Sequence, residues 1–430
     1  VKLIVKNPEA PVVDAGMPNP RPATNEFPPT VVQTSHGRLL FIGTNHSVAV
    51  PLAPGVHILK QPRCSLAAPP IFAIGGIVHE MRLGRLPMLY EIPPTLYWRH
   101  TYCGAFDLLT LPAAGEHSEW VYAVNHGENK NLSFRTRFTR IFTTNSVNPA
   151  DEATPTTTSG VWEGVFREYQ PAYFGFVSVA YAPVTPETKW GAELFHHDEG
   201  PILWPPTGFM TADGSRKHPG YRNPHPHPSA LLAEDPRDGG WYIYVFAIDS
   251  GQREGEGWLV RAARSPLAAR GLPGTFLNYY RGEYCEPALP AANMKQDISV
   301  LRTLPSGRCD PIHPELDGTA GRPNRFFVAR LIRSGLFLSV EEMIFSEADS
   351  RYSELSLRLS EDLRTWTERV PVPGTKVPVR ARGGSLRLAY PKFLSADGNS
   401  HHAIDEKETF YILGTKPHEL TYRELRIEIG

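Results

Sequence analysis

The residues able to move protons in this chain gather where apolar runs begin or end. The stretch W-V-Y-A-V-N-H-G-E-N-K-N, Trp120 to Asn131, is apolar as far as Val124 and then turns to amides, a base and an acid. His126 and Glu128 are either part of a polar hairpin with Gly127 at positive φ, or the lip of a site. Asp107, in G-A-F-D-L-L, opens another apolar run, and Glu26 stands just ahead of F-P-P. Two carboxyls can work as acid and base if one is kept protonated by burial or a neighbouring anion and the other ionised. The catalytic candidates are therefore Asp107, Glu128 and Glu26. Binding candidates are His126, His46, His227, Asp249 at the end of W-Y-I-Y-V-F-A-I-D, and Trp98, whose ring suits stacking. Each has a plain structural alternative: a turn Asp, a solvated Glu, a packed aromatic.

Other groups point less clearly to chemistry. Glu283 and Glu286 flank Cys285, where pairing with Arg281 is the simpler expectation. The pairs His196-His197 and His401-His402 would send their rings to opposite sides of a strand, and no H-E-x-x-H spacing exists. No metal ligand set is assigned and no cofactor is required, although a structural cation on an axis is compatible with the histidines. The four cysteines, Cys64, Cys103, Cys285 and Cys309, fit either two disulfides in any of three pairings or free thiols. Phosphate-loop, nucleophile-elbow and dinucleotide motifs are absent.

The elements that must position these groups are strands. The chain has 430 residues, 42 prolines and 36 glycines, and nothing sustains a helical period beyond a turn or two. A net charge of -1 offers no field for nucleic acid or an anionic membrane, and no apolar run nears the ~20 residues of a spanning helix. One pattern recurs: a short strand, a turn of Gly, Asp, Ser or Asn, then a strongly apolar strand. Copies start at Phe27, Phe106, His227, Ile298 (resuming at Asn324) and Tyr390. Alternating strands follow three of them, from Phe176, Trp258 and Leu355. Five modules of three or four strands predict an all-β, five-bladed β-propeller, each blade an antiparallel sheet, with residues 1–430 as a single domain. The strand openings then carry Glu26, Asp107, His225 and His227, Asp297, and Tyr390 with Lys392 toward one axial mouth.

The turn S-E-D-L-R-T-W, Ser360 to Trp366, resembles the S-x-D-L-x-x-W turn at the outer blade edge of five-bladed propeller glycosidases. These are the arabinanase, β-xylosidase and fructosidase-like enzymes; sialidases carry a related Asp box. The chain lacks the W-M-N-D-P-N-G, R-D-P and W-A-P-D windows, so the family's carboxylates do not transfer motif by motif; Glu26 alone occupies the place of the first-blade acid. The resemblance implies a glycoside hydrolase acting on a polysaccharide or oligosaccharide, with a carboxylate pair at the axial mouth and a secreted or periplasmic location. The competing expectation is a non-catalytic propeller that binds carbohydrate or protein.

Overall fold

The structure, a computed structural model, describes residues 1–15, 28–42, 47–52, 55–59, 71–74, 102–114, 117–129, 174–184, 196–204, 227–250, 258–289, 306–312, 321–347, 350–378, 388–416 and 419–430. Among these, the only helical element is the short 3-10 turn Leu267–Ala269; the rest is strand, turn and irregular chain.

Alternating side chains force each strand pair into a sheet with two faces. The first sheet is Thr30–Thr34, Gly37–Ile42, Ser47–Leu52 and Ile71–Ile74 in spatial order. The second runs Tyr102–Ala114, His117–Asn129, Phe174–Pro183 and His196–Leu203. The third is Ser229–Glu234, Trp241–Ser250, Trp258–Pro266, Leu277–Tyr280 and Glu283–Pro287. The fourth is built on Arg322–Leu331, Phe337–Glu347 and Ser350–Ser360. The fifth is Ala389–Leu394, Phe410–Lys416 and Glu419–Leu425, completed from the other end of the chain by Val12–Asp14. Leu3–Val5 and Ile427–Ile429 add a short ribbon. The strand at Asn324, expected as the second of its module, is the first of its sheet; the run from Ile298 lies outside the described residues.

The sheets stack face to face because neither face can be left wet. On the strand Trp241–Ser250, Ile243, Val245 and Ala247 pack toward the second sheet with Leu109, Tyr122 and Val124. The alternate residues Tyr244, Phe246 and Ile248 pack toward the fourth with Phe326 and Val328. Further cores join the fourth sheet to the fifth, through Phe327, Leu338 and Phe393, and the fifth to the first, through Leu413 and Val31. The first and second meet through Ser35, whose N–H donates to Glu119 Oε2 at 2.7 Å, and Thr110, whose hydroxyl donates to Gln33 O at 2.7 Å. The arrangement is β-propeller-like, with the first strand of each sheet turned to a common axis.

The turn after Leu394 crosses that axis. Val31 N–H of the first sheet donates to His401 Nε2 at 2.8 Å, His402 reaches Asp107 of the second, and Arg330 N–H of the fourth donates to His402 O at 2.8 Å. The pair Ala403–Ile404 then lies parallel to Arg330 and Leu331. One tongue, 395–404, thus ties the first, second and fourth sheets to the fifth. Cys285 is a free thiol, so the four cysteines do not form two disulfides.

Candidate functional site

Irregular backbone at the starts of the first strands aims side chains at the axis. The pairing of Tyr102–Ala114 slips between Ala105 and Asp107, which leaves Phe106 outside the ladder. A second slip, between Ala389 and Lys392, contains Tyr390. Tyr390 has φ 56° and His227 φ 36°, the left-handed region that costs a non-glycine residue on the order of 1–3 kcal/mol. The strain is offset by what it assembles. The Phe106 ring lies 5.4 Å from His126, 5.2 Å from His227 and 5.9 Å from Tyr390. His126 and His227 stack at 5.2 Å and 10°. Arg325 Cζ sits 4.0 Å from the Tyr390 ring centre. Residues from sheets two to five therefore form one aromatic and imidazole floor, in which His126 and His227 are buried.

Beneath the floor lies a buried charge pair. Lys392 Nζ donates to Thr30 Oγ1 at 2.6 Å and to Phe106 O. Burial pulls this ammonium down to about 8, and Asp107 opposes that pull. Asp107 is fully buried. Its Oδ2 accepts Ala230 N–H at 2.8 Å, its Oδ1 accepts Leu108 N–H at 3.0 Å, and His402 Nε2 lies 3.0 and 3.1 Å from the two oxygens. Burial pushes this carboxyl up, but His402, Lys392 and Ala230 N–H outweigh it and hold it below its ordinary value. It is an anion at neutral pH. Such a group stabilises positive charge and does not donate a proton.

Asp107, expected where a strand opens, sits well inside Tyr102–Ala114 and below the floor. His126 and His227, named separately as binding candidates, are brought together by the fold. The polar half of W-V-Y-A-V-N-H-G-E-N-K-N is not a hairpin: the strand His117–Asn129 continues through it, with Glu128 paired to Tyr102 and Gly175. The Glu128 side chain lies outside the described residues, as do Glu26, His46, Trp98, His225 and Asp297. Asp249 is buried against Arg261 at 3.1 Å, which also donates to Asn278 Oδ1 and Trp204 O. Glu286 pairs with Arg308 and Glu283 with Arg237, not with Arg281.

Two groups were not among the site candidates read from sequence. Glu342 is buried and accepts Asn324 Nδ2–H at 2.8 Å, next to the floor residue Arg325 in the register. Its neighbour Glu341 is buried on the opposite face against Arg358 at 3.0 Å. The signal was present: two adjacent acids inside F-L-S-V-E-E-M-I-F face opposite sides of a strand whose two sides are both core. The second is the pair His401-His402, which the sequence placed on opposite sides of a strand but did not assign to the site. His401 accepts Val31 N–H and donates from Nδ1 to Phe393 O. Burial foremost, with Lys392 and His402 nearby, pulls it down to about 3 and keeps it neutral. Among the described residues no cluster of three or more His, Cys, Asp or Glu is placed to hold a metal ion.

No protein-family model matches the sequence, and no curated protein sequence matches it. Solved structures with a similar arrangement include an α-L-arabinofuranosidase of Podospora anserina in complex with cellotriose, at TM-score 0.40 and 10% identity, covering 96% of this chain and 95% of that one. A family 117 glycoside hydrolase of Zobellia galactanivorans has TM-score 0.40 and 8% identity, covering 96% and 89%. An α-L-arabinanase of Cellvibrio cellulosa, complexed with arabinohexaose, has TM-score 0.38 and 8% identity, covering 94% and 96%.

Proposed function

We propose that this chain is a glycoside hydrolase on a five-bladed β-propeller, cleaving a glycosidic bond of a polysaccharide or oligosaccharide at the axial mouth. The observation that carries this is the floor of Phe106, His126, His227 and Tyr390, drawn from three sheets to one point above a buried Lys392–Asp107 pair. Ring faces suit the C–H faces of a sugar, and the imidazoles supply hydrogen bonds to hydroxyls. Glu128 and Glu26 are the proposed acid and base. A separation of about 5 Å between them would mean retention, and roughly 6.5–9.5 Å inversion. Asp107 acts as the fixed anion below, and His46, Asp249 and Trp98 complete the proposed binding set. No cofactor is required on this mechanism, and the location is secreted or periplasmic.

The test is release of reducing ends from a panel of poly- and oligosaccharides. Glu128→Gln and Glu26→Gln are each expected to lose on the order of 10²-fold or more in kcat. Full activity in both removes them from the mechanism. The alternative, a non-catalytic carbohydrate-binding propeller, is favoured by one fact: the described acids Asp107, Asp249 and Glu341 are each held by a cationic or imidazole partner. Saturable oligosaccharide binding without product release from any substrate would establish it.

A further inference from the structure

The far end of the axis holds a second cavity. It has a volume of about 780 Å³ and lies beyond the Asp107 level, against Val32, Leu109, Leu232, Arg330, Trp241 and His402. That volume is within the roughly 300–1,000 Å³ of small-molecule sites. Tongue residues 399–403 form one of its walls, and none of the floor residues Phe106, His126, His227 and Tyr390 lines it, so it is not the mouth.

Three features say what it is built to hold. First, the strands Thr30–Thr34, Tyr102–Ala114 and Ser229–Glu234 are each first in their sheets and, among the described residues, have no partner strand on their axial edges. Backbone N–H and C=O groups on such edges offer alternating donors and acceptors, which suit a molecule with many hydroxyls. Second, His402 is gripped at Nε2 by an anionic Asp107 and stacks on Phe327 at 5.4 Å, with its side chain 18% exposed. A carboxylate only accepts, so Nε2 carries a hydrogen toward Asp107 and Nδ1 is the ring nitrogen left for a ligand. Third, Arg330 is the only ionised side chain among the described residues lining the cavity; no carboxylate lines it. Trp241, 46% exposed, supplies an aromatic face at the rim.

We propose that this cavity is a second ligand site, separate from the mouth, for a small polyhydroxylated carboxylate of sugar-acid type. Its carboxylate pairs with Arg330, and a hydroxyl hydrogen-bonds with His402 Nδ1. The site does not depend on the mouth being catalytic.

The experiment uses the full chain and D-glucuronate, with D-glucose as the neutral comparator, followed by tryptophan fluorescence and by histidine nitrogen shifts in NMR. Glucuronate is expected to saturate, to shift His402 and leave His126 and His227 in place, and to bind at least about tenfold more tightly than glucose. Arg330→Gln, at an exposed position, is expected to abolish that preference without changing the thermal midpoint. Three results overturn the proposal: no saturation by glucuronate, equal binding of the two sugars insensitive to Arg330→Gln, or shifts confined to His126 and His227.

Discussion

Lys392 and Asp107 sit in surroundings that tolerate a charge only when it is answered. Asp107 is bound by two backbone N–H groups and His402, and Lys392 by Thr30 and Phe106 O. Asp107→Ala would leave a buried cation unanswered and is expected to cost about 3–5 kcal/mol in urea unfolding. Adding Lys392→Met should restore part of that loss; a double variant no more stable than Asp107→Ala would mean that the pair is not coupled. His401 makes a pH prediction. Its folded value of about 3 lies below the ordinary 6.5. The unfolded chain therefore takes up a proton that the folded chain refuses, and stability falls as pH drops from about 6.5 toward 3. The shifted carboxyls act mainly below their ordinary values of 3.8 and 4.5, so they contribute little between pH 7 and pH 5. The urea midpoint should fall across that interval, and His401→Gln should flatten the fall. An unchanged slope in the variant would remove His401 as the cause.

At the scale of elements, the turn Ser360 to Trp366 shows what the S-x-D-L-x-x-W pattern does here. Ser360 Oγ accepts the N–H groups of Asp362 and Leu363 at 3.2 and 2.8 Å, and Asp362 Oδ1 accepts those of Arg364 and Thr365 at 2.9 and 2.8 Å. With Leu363 at φ 59°, the turn delivers Arg364 to Asp235, whose Oδ2 it meets at 2.6 Å. Arg264 and Tyr244 reach the same carboxylate; Arg364, the Arg237 N–H and Tyr244 overcome burial to hold it at about 2. The motif fastens the fourth sheet to the third. Asp362→Ala should cost about 1–2 kcal/mol, as for loss of a capping side chain, and Asp235→Ala about 3–5 kcal/mol, because it leaves buried guanidinium groups unpaired. Urea unfolding with both variants measures the ratio; equal costs would contradict the clamp.

The whole molecule is held as a closed ring. Val12–Asp14 pairs with Glu419–Leu425, so the start of the chain completes the last sheet. Lys392 and His401 tie that sheet to Thr30 and Val31 of the first. Deleting residues 1–14 would bare a strand edge. A lower thermal midpoint and concentration-dependent light scattering are expected; an unchanged midpoint would show that the first and fifth sheets hold without the latch.

How much of this was legible follows from the range over which each feature is decided. Alternation in W-Y-I-Y-V-F-A-I-D and in L-S-L-R-L-S is local, set by the two-residue period of a strand with two buried faces, and it yielded the all-β class and most strand pairs. His126 and His227 were each candidates because both stand where apolar runs change character, but their stacking was not anticipated. The run N-H-G-E-N was ambiguous because Gly and Asn mark hairpins as readily as they mark a strand carrying polar groups. The axis was decided elsewhere. Asp107 and His402 meet across 295 positions of sequence, and no local pattern sets that distance. Only when the sheets close does Asp107 become a buried anion rather than a candidate acid, and His401-His402 a tie between sheets rather than two outward rings. By itself the sequence determined the strands and their two-faced burial, because side-chain alternation acts between neighbours. The tertiary structure alone decided which polar groups share the axis, because their desolvation must be answered by partners from other sheets.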